Sequence, residues 1–478
     1  MILDEILKIL KRQSNQKAYT VNGNSYTYKE LYKYVCNIYN FLLKNNLEKK
    51  PVIVCGHKEI YMKATFLACS FAGITYVPID ENIPEDRQKS IIEQIKPGLI
   101  IGKDIKKDKI EQVMFGKKEN DIHKIYMKPQ DTYYIIFTSE STGKPKGVKV
   151  TYENLDSCVT WLKDIVKIQN GVILNQANFS FDLSIADLYL SLISESEQYI
   201  IDNNLQFDFK NIYDNLEKSQ ANVMIATPSY LDFLLIDKRF NRELLPNLHT
   251  ILFCGEKLEN NTVIKIFERV GDIEIINCYG PTECTFAVTS NKISKSEIEE
   301  EISIGNPKKD VEIYIVNENL KRMSENEIGE ILITGKSVAK GYVGNENKDA
   351  FIKYDGKNGY LTGDLGYYKN GKLYYKGRKD NQIKYKGYRI ELRDIEENLQ
   401  KITYIENAVV VAKKNDKNKV SNLIAYVILK DNISKTIDEI EKEMKKILPL
   451  YMCPKVKIVE SFPLNLNGKC DKRKLMEE

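Results

Sequence analysis

Between Ile135 and Val150 the chain reads IIFTSESTGKPKGVKV, and these residue types suit a phosphate-holding loop. An apolar strand runs into hydroxyls, glycines and lysines, and an amphipathic segment follows. Thr138, Ser139, Ser141 and Thr142 offer hydroxyl donors, and Lys144 and Lys146 bring positive charge. Gly143 and Gly147 allow the backbone to come close to a ligand. Donors and cations on a loop after a strand point to a nucleoside triphosphate. The loop is not the P-loop of common ATPases, which needs Gly-Lys-Ser/Thr opening a helix. Here Pro145, which has no N–H, separates the two lysines. A plain surface turn of Ser, Thr, Gly and Lys is the alternative reading of the same residues.

Other chemistries find less support. The only histidines are His57, His123 and His249, none beside a matching nucleophile or ligand cluster. Nine scattered cysteines without a CxxC pair read as free thiols of a reducing compartment. With 71 basic against 67 acidic residues, the net charge of +4 demands neither nucleic acid nor an anionic membrane. The apolar stretch Ala64–Ile79 is shorter than the ~20 residues of a membrane span and reads as a buried helix followed by a strand. The opening MILDEILKILKR reads as an amphipathic helix with Leu3, Ile6, Leu7 and Leu10 on one face. Asp4 and Glu5 interrupt any secretory run, so a cytoplasmic chain without membrane insertion is expected.

The elements that must position the loop follow from the same sequence. Its 478 residues suggest about three domain-sized units. Short apolar runs alternate with helical patterns through the first half: Val52–Cys55, Leu99–Ile101, Tyr134–Phe137, Val172–Leu174, Val223–Ala226, Ile251–Cys254 and Ile273–Ile276 as strands, Tyr61–Phe71 and Ile212–Glu217 as helices. That alternation predicts an α/β fold with parallel-rich sheets. Ligands of such sheets bind beyond the carboxyl ends of the strands, which makes Thr138, Asn175, Thr227, Gly255, Glu256 and Asn277 site candidates. From about Gly305 strands crowd together (Val311–Val316, Glu330–Thr334, Lys372–Gly377), which predicts a small β subdomain. After Arg378 the runs Ala408–Ala412 and Asn422–Leu429 with a helix over Ile437–Ile447 predict a compact α+β domain, with a boundary near Asp380.

Eight motifs in a fixed order then carry a resemblance over nearly the whole chain. They are TYVPID (Thr75–Asp80), the phosphate loop, FDLS (Phe181–Ser184), CYGPTE (Cys278–Glu283), GYLTGD (Gly359–Asp364), GRKDNQIKYKGYRIEL (Gly377–Leu392), LPLYMCP (Leu448–Pro454) and NGKCDKRKL (Asn467–Leu475). The chain resembles the adenylate-forming superfamily of acyl-CoA synthetases, peptide-synthetase adenylation domains and luciferases. The phrases NQANFSFDLSIADLY (Asn175–Tyr189) and LFCGEKL (Leu252–Leu258) are most similar to its D-alanine-activating members, which load a carrier protein. The resemblance implies an N-terminal adenylation core over 1–379, with a distorted β-barrel subdomain at about 305–378, and a small mobile α+β domain over 380–478.

It also implies a reaction: ATP, with Mg²⁺, converts a small amino acid to an aminoacyl-adenylate, and the phosphopantetheine thiol of a separate carrier protein takes the acyl group. The work is mainly charge stabilisation and alignment. By resemblance Lys469 is the adenylation lysine, acting with Thr138 and Glu283, and Glu283 holds the Mg²⁺. Ser139, Ser141, Thr142, Gly143 and Lys146 cradle phosphates, and Thr282 touches the α-phosphate. Tyr279 stacks on adenine, Asp364 holds the ribose hydroxyls with help from Arg378, and Gly255, Glu256, Asn277 and Gly280 complete the nucleotide site. Asp380 is the hinge.

Asp182 of FDLS matches the acid that pairs with the substrate α-ammonium, and a helix cap is its alternative role. The implied pocket walls are Leu183, Ala186, Leu252, Cys254, Cys278, Phe286 and Ala287; ordinary packing is the alternative for Cys254. Two departures stand out. The D-alanine-activating pattern has a larger residue at Ala186 and a smaller one at Phe286, which preserves volume but moves shape; one methylene discriminates by only about 1–3 kcal/mol. The loop reads TSESTG where the family has TSGSTG, so Glu140 replaces glycine. A carboxylate ~4 Å from phosphate costs on the order of 4 kcal/mol at an effective dielectric near 20, unless it turns to water. Two alternatives to D-alanine loading therefore stay open: a stand-alone adenylation enzyme of nonribosomal peptide biosynthesis for another amino acid, and a nucleotide-binding homologue impaired by Glu140.

Overall fold

The computed structural model describes residues 1–139, 145–201, 209–345, 348–380, 382–415, 420–430, 433–463 and 472–477. The chain opens with α1 (Ile2–Lys11), β1 (Lys17–Val21), β2 (Asn24–Thr27), α2 (Tyr28–Lys44), β3 (Val52–Gly56), α3 (Ile60–Ala72) and β4 (Tyr76–Asp80). Next come α4 (Glu85–Ile95), β5 (Leu99–Ile101), α5 (Lys107–Phe115), β6 (Thr132–Thr138), β7 (Lys146–Thr151), α6 (Tyr152–Ile165), β8 (Val172–Asn175) and α7 (Leu183–Ile193). The middle continues through β9 (Glu197–Ile200), α8 (Phe209–Ser219), β10 (Val223–Ala226), α9 (Pro228–Leu234), β11 (Thr250–Phe253), α10 (Asn260–Val270) and β12 (Glu274–Tyr279). Strands then dominate: β13 (Thr289–Ile293), β14 (Asn306–Pro307), β15 (Val311–Val316), β16 (Gly329–Gly335), β17 (Phe351–Tyr354), β18 (Lys357–Lys369) and β19 (Lys372–Arg378). The chain closes with β20 (Gln382–Tyr385), β21 (Tyr388–Glu391), α11 (Leu392–Gln400), β22 (Ile405–Lys414), β23 (Val420–Leu429), α12 (Ile437–Ile447), β24 (Lys455–Ile458) and α13 (Lys472–Glu477).

Two sheets build the first two-thirds. One has nine strands in the order β14-β13-β12-β11-β10-β8-β9-β1-β2, and the other has five in the order β5-β3-β4-β6-β7. The stretch β12-β11-β10-β8-β9-β1 is parallel throughout. Such strands are covered on both faces and read as continuous apolar runs; β10 and β11 are buried at every residue. The helix α3 is buried on all sides as well, which is why its sequence shows no polar face. In α1 the buried residues are Ile2, Leu3, Ile6, Ile9 and Leu10, while Leu7 is half-buried.

A third, antiparallel sheet runs β15-β16-β18-β17, with β19 on β18. The long β18 pairs with β17 through Lys357–Tyr360 and with β19 through Asp364–Lys369, which bends it across its neighbours. The strand expected to end before Asn277 runs on to Tyr279, because β13 pairs with it antiparallel at Asn277, Cys278 and Tyr279. Asn277 is therefore inside a strand, not at its end.

The chain divides into two compact units, one of Met1–Glu81, Ile95–Ile136 and Gly147–Lys379, the other of Asn82–Gln94, Phe137–Lys146 and Asp380–Glu478. The second unit carries a three-stranded sheet, β22-β23-β24, and its own core around Ile395, Val410, Ala425 and Met444. No described helix is long and apolar enough to cross a membrane.

Candidate active site

The long β18 and its neighbour β19 place Asp364 directly across from Arg378. The Arg378 Nη1 donates to Asp364 Oδ1 at 2.6 Å, and the Tyr279 hydroxyl donates to Oδ2 at 2.7 Å. Asp364 is buried, and a buried carboxylate persists only when paired and hydrogen-bonded. The Thr362 carbonyl accepts a second bond from Arg378 at 3.2 Å, and the Thr362 hydroxyl accepts from the Asp364 N–H at 3.1 Å. Three of the sequence candidates thus meet in one network. Tyr279 itself is buried in the core of the β subdomain, its ring 6.4 Å from that of Tyr375. Burial, with the Asp364 charge second, pushes its phenol well above the ordinary tyrosine range, so its proton stays on.

After Tyr279 the chain folds back on itself over Gly280–Ala287. A Cβ on Gly280 would stand 2.6 Å from Ala287 Cα, so only glycine fits there. Thr285 and Phe286 both have positive φ, 59° and 71°. For a β-branched threonine that is a strained backbone, and such strain clusters at functional sites. The Thr285 hydroxyl offsets it by donating to the Ser337 carbonyl at 2.9 Å. Val288 N–H closes the loop onto the Tyr279 carbonyl at 2.8 Å.

Glu283 lies within this loop and is buried, not a surface acid. The Tyr342 hydroxyl donates to its Oε1 at 2.7 Å, and the Ala339 N–H donates to its carbonyl at 2.8 Å. No group of three or more His, Cys, Asp or Glu among the described residues could hold a metal by itself. One hard carboxylate sharing an ion with substrate phosphates is how Mg²⁺ is commonly held, and Glu283 fits that pattern. Thr282 opens the short helical turn around Glu283.

The expected pocket walls gather elsewhere. Leu183, Ala186, Leu252, Cys254, Cys278, Phe286 and Ala287 all belong to one buried apolar cluster. Cys254 donates its thiol weakly toward the Phe286 carbonyl, at 3.9 Å. Burial, with the neighbouring Cys254 second, pushes the Cys278 thiol well up, so it is not a nucleophile. Asp182 precedes α7 at its N-terminus, half-buried. Its side chain accepts no cap hydrogen bond from that helix, so the capping role is not the one it fills. Burial keeps the Cys158 thiol and Tyr134 phenol protonated, with the Asp182 charge a minor contributor.

The strand ends are more mixed. Thr138 closes β6, and Ser139 donates its hydroxyl to the Arg389 carbonyl at 2.5 Å. Lys146 opens β7 and is buried. Ser141, Thr142, Gly143, the departing Glu140 and the expected adenylation lysine Lys469 lie outside the described residues. Gly255 has φ 96°, and the Glu256 carboxylate accepts from the Ser229 N–H at 2.9 Å, which caps α9. Asn277 donates to the Ser303 carbonyl at 3.0 Å. Asp380 is exposed, begins the C-terminal stretch of the second unit in sequence, and accepts from the Gln382 N–H at 3.1 Å. A polar cavity of about 570 Å³ between α6 and the β subdomain is lined by none of these residues. Sequence reasoning gave no role to Tyr342, which sits in no motif, or to Thr362, which sits inside GYLTGD; their contacts reveal them.

Residues 8–343 match the AMP-binding enzyme family, and residues 394–469 match the AMP-binding enzyme C-terminal domain. The chain is 36% identical over 506 residues to a D-alanine–D-alanyl carrier protein ligase of Listeria monocytogenes, spanning 100% of this chain and 99% of that one. A ligase of the same name from Bacillus cereus is 36% identical over 502 residues at the same coverage. Among solved structures, a Vibrio cholerae adenylation domain in complex with glycyl-adenosine-5'-phosphate shares the fold at a TM-score of 0.84 and 21% identity, covering 100% of this chain and 97% of that one. A peptide-synthetase protein containing adenylation and carrier domains does so at 0.84 and 21%, covering 100% and 84%. The chain belongs to the AMP-binding enzyme family.

Proposed function

We propose that the chain is an ATP-dependent, AMP-forming ligase that activates a small amino acid, D-alanine, and loads it onto the phosphopantetheine thiol of a separate carrier protein. The observation that carries this reading is the end-to-end similarity to D-alanine–D-alanyl carrier protein ligases, at 36% identity. The expected pocket walls, which are apolar and buried, and Asp182 just before α7 support it, because a short side chain and an ammonium would suit such residues.

The substrate carboxylate attacks the α-phosphorus of ATP, giving the aminoacyl-adenylate and pyrophosphate. Asp182 pairs with the substrate ammonium and fixes the carboxylate for attack. Asp364 accepts from the ribose hydroxyls and Arg378 donates to their oxygens, exchanging part of their mutual bonding for bonds to sugar. Glu283, steadied by Tyr342, would hold Mg²⁺, which neutralises charge on the phosphates. Lys469 would bridge carboxylate and α-phosphate as charge builds, delivered by the C-terminal domain turning about Asp380. In the second half-reaction the carrier thiol displaces AMP from the acyl carbonyl. In a cell-wall setting the carrier passes D-alanine to teichoic acid. A cytoplasmic location follows from the need for ATP and agrees with eight free described cysteines.

The test is pyrophosphate exchange across D- and L-amino acids. D-alanine is expected to give the highest kcat/KM, with glycine and D-serine within about 1–3 kcal/mol. A clear preference for an unrelated amino acid moves the chain to peptide biosynthesis, and nucleotide binding without any exchange marks the Glu140 loop as disabling.

A further inference from the structure

Behind the expected acyl pocket lies a fully buried polar group that the proposed chemistry does not use. Asp187 sits on α7, one residue after Ala186, with no exposure to water. Its Oδ1 accepts from Asn175 Nδ2 at 2.8 Å and from Gln198 Nε2 at 2.6 Å. Gln198, on β9, turns its carbonyl the other way and accepts from Lys63 Nζ at 3.0 Å. Lys63, on α3, also reaches the Ala18 carbonyl at 3.3 Å and the Ser191 hydroxyl at 3.4 Å. All these side chains are buried.

Asn175 is the last residue of β8, and Asp182 precedes α7. The bond from Asn175 to Asp187 therefore ties the start of the segment that delivers Asp182 to the helix that follows it. Lys58 secures the same segment by donating to the Gln176 carbonyl at 2.7 Å and, beyond β9, to that of Ile201 at 3.1 Å.

Two atoms of this group have no hydrogen-bond partner among the described residues: Asp187 Oδ2 and Asn175 Oδ1. Both are acceptors when Asp187 is ionised, and both are buried, which is a costly arrangement. One proton on Asp187 Oδ2, donated to Asn175 Oδ1, would satisfy both. The acid and the amide then form a closed pair of complementary hydrogen bonds. Burial pushes Asp187 up to about 7 and Lys63 down to about 7, both toward the neutral form.

We infer that Asp187 is a positioning residue which, as the neutral acid, clasps Asn175 and so fixes the segment that presents Asp182 to the substrate ammonium. The inference rests on the reading of Asp182 given above. The experiment measures pyrophosphate exchange with D-alanine for Asp187→Ala, Asp187→Asn and Asp182→Ala, with melting temperatures alongside. Asp187→Ala breaks the clasp, and a misplaced Asp182 raises KM for D-alanine about tenfold or more while KM for ATP stays within about twofold. An asparagine carries one acceptor and one donor, as the neutral acid does, so Asp187→Asn keeps KM within about threefold of the parent. Should Asp187→Ala not fold, Asn175→Ala removes the other half of the clasp and carries the same expectation. Asp187→Asn as damaging as Asp187→Ala overturns the neutral-acid assignment. An unchanged KM in Asp187→Ala, or equal rises for both substrates, overturns the positioning role. Full exchange in Asp182→Ala instead overturns the reading of Asp182, and so separates the two failures.

Discussion

At the scale of single residues, the site rests on carboxylates withdrawn from water and held by hydroxyls and a guanidinium. Glu283 shows what that arrangement does. Its Oε1 takes the Tyr342 hydroxyl, a bond that restricts how the carboxylate can turn. Removing the charge and removing the support are therefore separable. Glu283→Gln keeps the shape but presents a neutral amide to Mg²⁺, and is expected to lower kcat for adenylation about 100-fold. Tyr342→Phe keeps the charge but frees the acid to rotate, and is expected to raise the Mg²⁺ concentration for half-maximal exchange about threefold, with kcat nearly kept. A Mg²⁺ titration of exchange in both variants checks this, and a Tyr342→Phe enzyme with unchanged Mg²⁺ dependence removes Tyr342 from the site. Glu283 stood out in the sequence as part of a phrase, CYGPTE. Tyr342 did not, because a hydroxyl 59 residues away in sequence acts through contact alone.

At the scale of elements, the turn after β12 converts a strand end into a site. Gly280 lets the chain fold tightly enough for Ala287 to pass beneath it, and Thr285 and Phe286 hold left-handed backbone to complete the reversal. Gly280→Ala would drive a Cβ into Ala287 Cα and the Phe286 carbonyl, which are backbone atoms and cannot swing aside. The loop must open, with a loss of about 1–3 kcal/mol and a melting temperature lower by several degrees. Because the same loop carries Glu283 and two expected pocket walls, exchange activity is expected to fall far more than stability does. Calorimetry beside pyrophosphate exchange separates the two, and equal, small losses would show that the turn is only a connector. The strands that came through in the sequence were those whose signal is local. Val311–Val316 and the helix Ile437–Ile447 match the structure residue for residue. The end of β12 did not, since its last residues are strand only because β13 returns beside them. The same holds for α7, whose role depends on what Asp187 meets from β8 and β9.

At the scale of the whole molecule, the described hydrophobic clusters each draw on one side of residue 380. The clusters built around α3, around β10 and β11, and around β15 and β16 draw their buried residues from before Asp380. The cluster around Ile395, Val410 and Met444 draws only on residues after it. Tyr279, Glu283, Asp364, Arg378 and the pocket walls all lie in the first compact unit, while Lys469 belongs to the C-terminal stretch of the sequence. On the proposed reading, the residues for nucleotide recognition and the adenylation lysine belong to different stretches of the chain. A fragment ending at Lys379 is expected to unfold cooperatively, because burial within its own cores supplies the driving force. AMP is expected to raise its melting temperature, since any ligand that binds only the folded form does so in proportion to its saturation. Pyrophosphate exchange by that fragment is expected to vanish, because no cation remains to bridge carboxylate and α-phosphate. The three readouts fail separately. Loss of cooperative unfolding would mean that the first group of cores needs the C-terminal residues after all. Cooperative unfolding without a response to AMP would move nucleotide recognition away from Asp364 and Arg378. Residual exchange at the rate of the full chain would take the adenylation role from Lys469.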